Sequence, residues 1–264
     1  MIGGSKAVKI TAKTTLKGNW LKLIFAVGAF LFCCFICDYS AGILSYTGVY
    51  ALSVAISALL TVFVLAPILL GLIRFVWRIL FDADDSPVSI FYYLSDKKLY
   101  RKAVEFIWAI IIKALPAALI LYFPITLLWF FTQGFFYEIF GLVTPLWTAN
   151  LNTVIIIADV FAFVALVFYM LRFYLAPILF VADENMDIHE TLLMSTVISK
   201  KTSLDFIYLF FSFLGWVALS LLIIPLIFTL PYMLTAYAVH VRFAVAEYNK
   251  IIGTAVAEEF TYGI

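Results

Sequence analysis

An all-α, polytopic membrane bundle is what this sequence predicts, and three observations predict it. The chain is 66% hydrophobic and only 12% charged, with a mean hydropathy of +1.11. A soluble domain runs at about 45–50% apolar and about 25% charged residues, so lipid must solvate most of this surface. The apolar runs are unbroken over about 20 residues or more, the length of a helix that crosses hydrocarbon. They lack the apolar–polar alternation of a barrel strand, and in lipid only helices or closed barrels satisfy the backbone. Finally, Lys and Arg are absent from 38–66, 114–171 and 202–241. Cations stay on the cytoplasmic side of short loops, so both termini and two long linkers are expected inside and three short loops outside.

Taken in order, residues 1–20 form a basic cytoplasmic arm. Lys6, Lys9, Lys13 and Lys17 are spaced for one helical face, suited to anchoring the first span or to anionic headgroups. The membrane domain is expected over 21–248. Its six transmembrane helices fall at about 21–37, 51–74, 104–129, 153–179, 206–228 and 231–247, arranged as three hairpins. Pro67 should kink the second span, because proline removes a backbone donor. Pro225 and Pro231 are expected to form the turn of the third hairpin. Residues 130–152 are rich in aromatic residues (Phe135, Phe136, Tyr137, Phe140, Trp147) and read as an outer interfacial segment. Residues 249–264 form a cytoplasmic tail.

Two linkers connect the hairpins, and they look like copies of one unit. LAPILL at 65–70 precedes ADDSPVSIFYYLSDKKLYRKAVEF at 83–106, and LAPILF at 175–180 precedes ADENMDIHETLLMSTVISKKTSLDF at 182–206. Each is read as a membrane exit, an amphipathic surface helix (86–100 and 188–199) and a membrane entry. Ser86-Pro87 and Asp187 supply N-caps, and Glu190 stands at the capping-box distance from Asp187. Val88, Phe91, Tyr92 and Leu99 would form the first surface helix's apolar face, set in the headgroup layer. The offset of the two units is that of an internal repeat in parallel orientation.

With LKGNW at 16–20, the acidic exit and helix at 182–199, FSFLGW at 211–216 and LPY at 230–232 in this order, the chain resembles the bacterial integral-membrane family called domain of unknown function 975, over about 7–248. The resemblance implies a multi-pass protein of the bacterial cytoplasmic membrane. It implies no activity and no catalytic residues. A more distant similarity is to the membrane-anchor domains of glycerophosphodiester phosphodiesterases, which would suit a helper of an enzyme or complex.

The residues that invite a functional reading are ionisable groups inside spans, which are costly in lipid. At 1.5 Å per residue, Arg74, Lys113, Arg172 and Arg242 lie about 8–13 Å inside their cytoplasmic ends. They would form a lipid- or anion-binding pocket in the inner leaflet, or snorkel to the interface as anchors. Asp159 is the one deep acid. It is expected to pair with Lys113, across a depth difference of about 7 Å in a layer about 30 Å thick, or to serve as a proton or cation site.

Other groups read as structure. Cys33, Cys34 and Cys37 lie inside the first span, without the strand-to-helix setting of a redox CxxC. His240 reads as hydrogen-bonded packing, and HETLL at His189 is not HExxH. Asp82, Asp84, Asp85, Asp183, Glu184 and Asp187 are accounted for by capping and solvation, ahead of a divalent-cation site. No Walker loop, GxSxG or intramembrane carboxylate pair is present, and no nucleic-acid motif. No catalytic residue, metal site or cofactor is expected. The expected function is a non-enzymatic scaffold or accessory component, its cytoplasmic face binding membrane lipids through anionic headgroups or a membrane protein partner. The alternative is a small transporter or lipid flippase.

Overall fold

The computed structural model describes residues 5–45, 48, 50–81, 83, 85–130, 145–219 and 223–262. Among them the regular elements are all helical: α1 (Ser5–Leu16), α2 (Trp20–Ser45), α3 (Tyr50–Leu60) and α4 (Ala66–Ile79), then α5 (Tyr92–Ser95) and α6 (Lys97–Phe130). The second half holds α7 (Pro145–Met170), α8 (Ala176–Ala182), α9 (Ile188–Phe211), α10 (Leu214–Leu219) and α11 (Ile223–Tyr262). Five stretches are long and apolar enough to cross a membrane: Trp20–Ile43, Tyr50–Ile79, Lys97–Phe130, Asn152–Ala182 and Pro225–Ile251. The chain is therefore a multi-pass, all-α membrane protein. The aromatic segment around Phe135, Phe136, Tyr137 and Phe140 lies outside the described residues, as do Asp82 and Asp84.

The core gathers around α4. Its Pro67, Ile68, Leu70, Gly71, Leu72, Ile73, Phe75, Val76 and Ile79 are buried, and it touches α2, α5, α6, α8, α11 and the turn at Pro87–Phe91. A π-turn, Thr61–Leu65, leads into α4, and a 3-10 turn, Leu171–Phe173, precedes α8. In both LAPIL segments the proline thus stands just after a π or 3-10 turn within a continuous helical span. The two helices pack on each other. Beyond this core α6 and α7 run on with apolar side chains outward, among them Ile112, Ile120, Phe123, Phe161 and Phe168, as lipid-facing helices do.

Four expectations change. The surface helix expected at 86–100 is instead a 3-10 turn, Pro87–Phe91, followed by one helical turn, α5. Asp96 then breaks the chain in extended conformation, and its carboxylate accepts from the Lys98 N–H that opens α6. This segment lies against protein: Ile90 is 0% and Tyr93 2% exposed, whereas Val88, on the expected apolar face, is 70% exposed. Gly71 makes that possible, since a Cβ there would lie 1.9 Å from the Ile90 carbonyl oxygen. The helix expected at 188–199 starts as foreseen, with Asp187 accepting from the His189 N–H at 3.0 Å. It then runs on to Phe211, because Lys200-Lys201 are good helix formers and nothing there breaks the backbone pattern.

The fifth expected span, 206–228, is interrupted. α9 ends at Phe211, Ser212-Phe213 form a turn and α10 is short, so this stretch is not among the five continuous candidates. Pro225 and Pro231 stand within α11, not in a turn, and residues 220–222 lie outside the described residues. The basic arm, finally, is docked. Val8, Ala12 and Leu16 are 1%, 0% and 0% exposed, a stripe at i, i+4 and i+8 that packs on α11. Lys9 donates to the Ser212 carbonyl at 2.9 Å and sits 4.6 Å from the centre of the Phe213 ring. A cation thus meets the orphan carbonyls at the end of α9.

Candidate functional site

Arg74 is set by α4 on the side that meets the two linkers. An isolated guanidinium in an apolar helix needs a carboxylate within reach, and Glu184, in the turn after α8, supplies it. Arg74 Nε lies 3.0 Å from Glu184 Oε1, and the two side chains are 12% and 38% exposed. The guanidinium carbon stands 3.5 Å from the centre of the Tyr92 ring, a cation–π contact. The Tyr92 hydroxyl donates to Glu184 Oε2 at 3.0 Å, and Lys102 donates to the Glu184 carbonyl. Burial raises the Tyr92 pKa above its usual value, and its bond to the Glu184 carboxylate raises it further. Burial likewise raises Tyr93, with the Glu184 charge adding to it. Behind this knot Phe106 stacks on Phe180 at 4.2 Å, and Tyr93 closes on Phe180 at 5.8 Å. Arg78 meets Asp85 at 3.1 Å.

The knot ties the first linker to the second. Beside it Lys98, Arg101, Lys102, Glu105, Asn185 and Asp187 border an open cleft of about 420 Å³. Arg101 is engaged there by Glu105 at 2.7 Å.

The four candidate cations do not converge on one pocket. Arg74 is consumed by Glu184. Arg242 is exposed and lies 4.8 Å from the centre of the Phe81 ring. Lys113 and Arg172 both meet Tyr169, Lys113 through its backbone carbonyl and Arg172 through its guanidinium. The Tyr169 hydroxyl donates to the Lys113 carbonyl at 3.0 Å, and the Arg172 guanidinium carbon sits 5.3 Å from the Tyr169 ring centre. Both cations are exposed. Among the described residues neither has an ion pair with a carboxylate.

Lys113 and Asp159 are not an ion pair in this structure. Tyr169, at the level of Lys113, is ten residues from Asp159 along α7. That is about 15 Å of helix, beyond what a lysine side chain reaches.

The polar residues buried where the turn before α8 meets α9 and α11 form a packing network. Tyr174 Oη lies 2.6 Å from Thr202 Oγ1 and 3.1 Å from His240 Nε2, and Phe206 stacks on Tyr174 at 4.4 Å. Ser195 and Ser199 both donate to the Arg172 carbonyl, a carbonyl freed by the 3-10 turn. His240, 1% exposed, is hydrogen-bonded packing as its isolation in the sequence suggested. The three cysteines are free thiols. Among the described residues no group of three His, Cys, Asp or Glu is placed to hold a metal ion.

The sequence assigned Glu184 to capping and solvation and Tyr92 to an apolar face; the structure instead joins both, with Lys102, to Arg74. The one signal pointing to them was Arg74 itself, a cation inside an apolar helix that demanded an acid from elsewhere in the fold. Comparison with known protein families, with curated proteins and with solved structures finds no match for this chain.

Proposed function

We propose that this chain is a non-enzymatic accessory protein of the bacterial cytoplasmic membrane, one that holds anionic lipid headgroups on its cytoplasmic side. The observation that carries the reading is that Lys113 and Arg172 are both exposed, and that Tyr169 contacts the Lys113 backbone and the Arg172 guanidinium. A cation exposed to lipid below the interface is costly unless an anion neutralises it, and a phospholipid phosphate is the anion at hand. The knot at Arg74 and Glu184 suits a scaffold that ties the two linkers together.

The same proposal places both termini and both linkers on the cytoplasmic side, from the segments that lack Lys and Arg. With the ends on one side, the broken α9–α10 stretch is a sixth crossing. It also treats the two LAPIL units as an internal repeat, and kinship with the domain-of-unknown-function-975 family fits all of this.

The test is lipid retention. Protein extracted from vesicles of phosphatidylglycerol and phosphatidylethanolamine is weighed by native mass spectrometry. Phosphatidylglycerol adducts are expected on the wild type and reduced in Lys113→Ala and in Arg172→Ala. Unchanged phosphatidylglycerol in both variants removes the reading.

A further inference from the structure

The hairpin of α2 and α3 carries a second, oppositely charged feature. An open groove of about 630 Å³ runs between the two helices, lined among others by Asp38, Tyr50, Ser53, Ser57 and Thr61. Ser53, Ser57 and Thr61 recur every four residues and so share one face of α3 and its continuation. Ser53 donates to the Ala41 carbonyl at 2.7 Å across the hairpin, and Thr61 donates to the Ser57 carbonyl at 2.8 Å. Thr61 also opens the π-turn Thr61–Leu65, a rare geometry that recurs at functional sites.

Among the described residues Asp38 is the only formal charge lining the groove. It sits within α2, seven residues short of the helix end at Ser45, about 10 Å along the axis. It is exposed, and the chain from 38 to 66 holds no Lys or Arg. Among the described residues no ion pair engages it. A carboxylate at the membrane without a protein cation calls for a mobile one.

We propose that this groove binds the ammonium headgroup of a phospholipid, phosphatidylethanolamine. Asp38 supplies the counter-charge, the Ser53–Ser57–Thr61 face accepts ammonium N–H groups, and Tyr50 offers an aromatic face for the cation. The acyl chains lie along the apolar flank of α3, where Val54 is 52% exposed.

Native mass spectrometry of full-length protein in detergent, titrated with dioleoyl-phosphatidylethanolamine or dioleoyl-phosphatidylglycerol, tests the assignment. The wild type is expected to hold the phosphatidylethanolamine adduct. Asp38→Asn, a change at an exposed position, should weaken that adduct about tenfold, the scale of a lost charge-assisted hydrogen bond. Phosphatidylglycerol binding should be unchanged in Asp38→Asn, because Lys113 and Arg172 are intact. Ser57→Ala should weaken phosphatidylethanolamine by less. Equal phosphatidylethanolamine binding by wild type and Asp38→Asn would overturn the assignment. A wild-type dimer without adduct would also do so, since the groove would then be an interface between copies.

Discussion

Replacing Gly71 with alanine is the sharpest test of how the first linker is held. The added Cβ would lie 1.9 Å from the Ile90 carbonyl oxygen, 2.7 Å from its carbon and 3.2 Å from its Cα. All three are backbone atoms, so no side-chain rotation relieves the clash. The Pro87–Ser95 segment must retreat from α4 by more than an ångström, carrying Tyr92 and Tyr93 with it. Inserting a methyl group into a tight interior costs about 1–3 kcal/mol, and a contact against backbone belongs at the upper end. The ceiling is release of Ile90 and Tyr93, at about 1.5–3 kcal/mol each for a large buried side chain. Alanine returns about 1 kcal/mol through its better helix propensity. The net is a loss of about 2 kcal/mol, or about 4–8 °C in Tm for a chain of this size.

Thermal unfolding in one detergent, followed by size-exclusion chromatography or tryptophan fluorescence, reads this directly. Gly28→Ala is the matched control. Gly28 also lies inside a helix, but a Cβ there meets nothing within 4 Å, so the same propensity gain applies without the clash. If Gly71→Ala unfolds at or above the temperature of Gly28→Ala, the linker is not seated on α4 as described.

Two further outcomes follow from the polar contacts. Lys113→Ala and Asp159→Asn should each stay within about 0.5 kcal/mol of wild type, as for surface positions, and their double-mutant cycle should show no coupling; a coupling above about 0.5 kcal/mol would restore the ion pair. Tyr174→Phe should destabilise by about 1–3 kcal/mol, because it takes the tyrosine partner from buried His240, while the Thr202 hydroxyl keeps its bond to the Ile198 carbonyl; a variant as stable as wild type in the same assay would show that this network holds nothing.

The class of the protein was legible because solvent chooses composition. Runs of apolar residues too long for any soluble core, and cations confined to a few segments, need no partner residue to be read. The same holds for local caps: Ser86 and Asp187 act on N–H groups two residues away, within the reach of sequence neighbours. The Lys stripe of the arm was visible too. Its docking was not, because the Val8, Ala12 and Leu16 face is too small to stand out until α11 covers it.

Long-range matters fell to the tertiary structure. The first linker reads as amphipathic by period, but which side is buried depended on a bare patch at Gly71, about twenty residues earlier in the chain. Arg74 announced a need for an acid; only the packing of α4 on α8 selected Glu184, 110 residues away. Lys113 and Asp159 looked like partners by depth alone. The register of α6 on α7, set by side-chain packing, puts Tyr169 beside the Lys113 backbone instead. Composition and local hydrogen bonds act within a few residues and can be read from sequence; register and close approach belong to surfaces that exist only after helices meet.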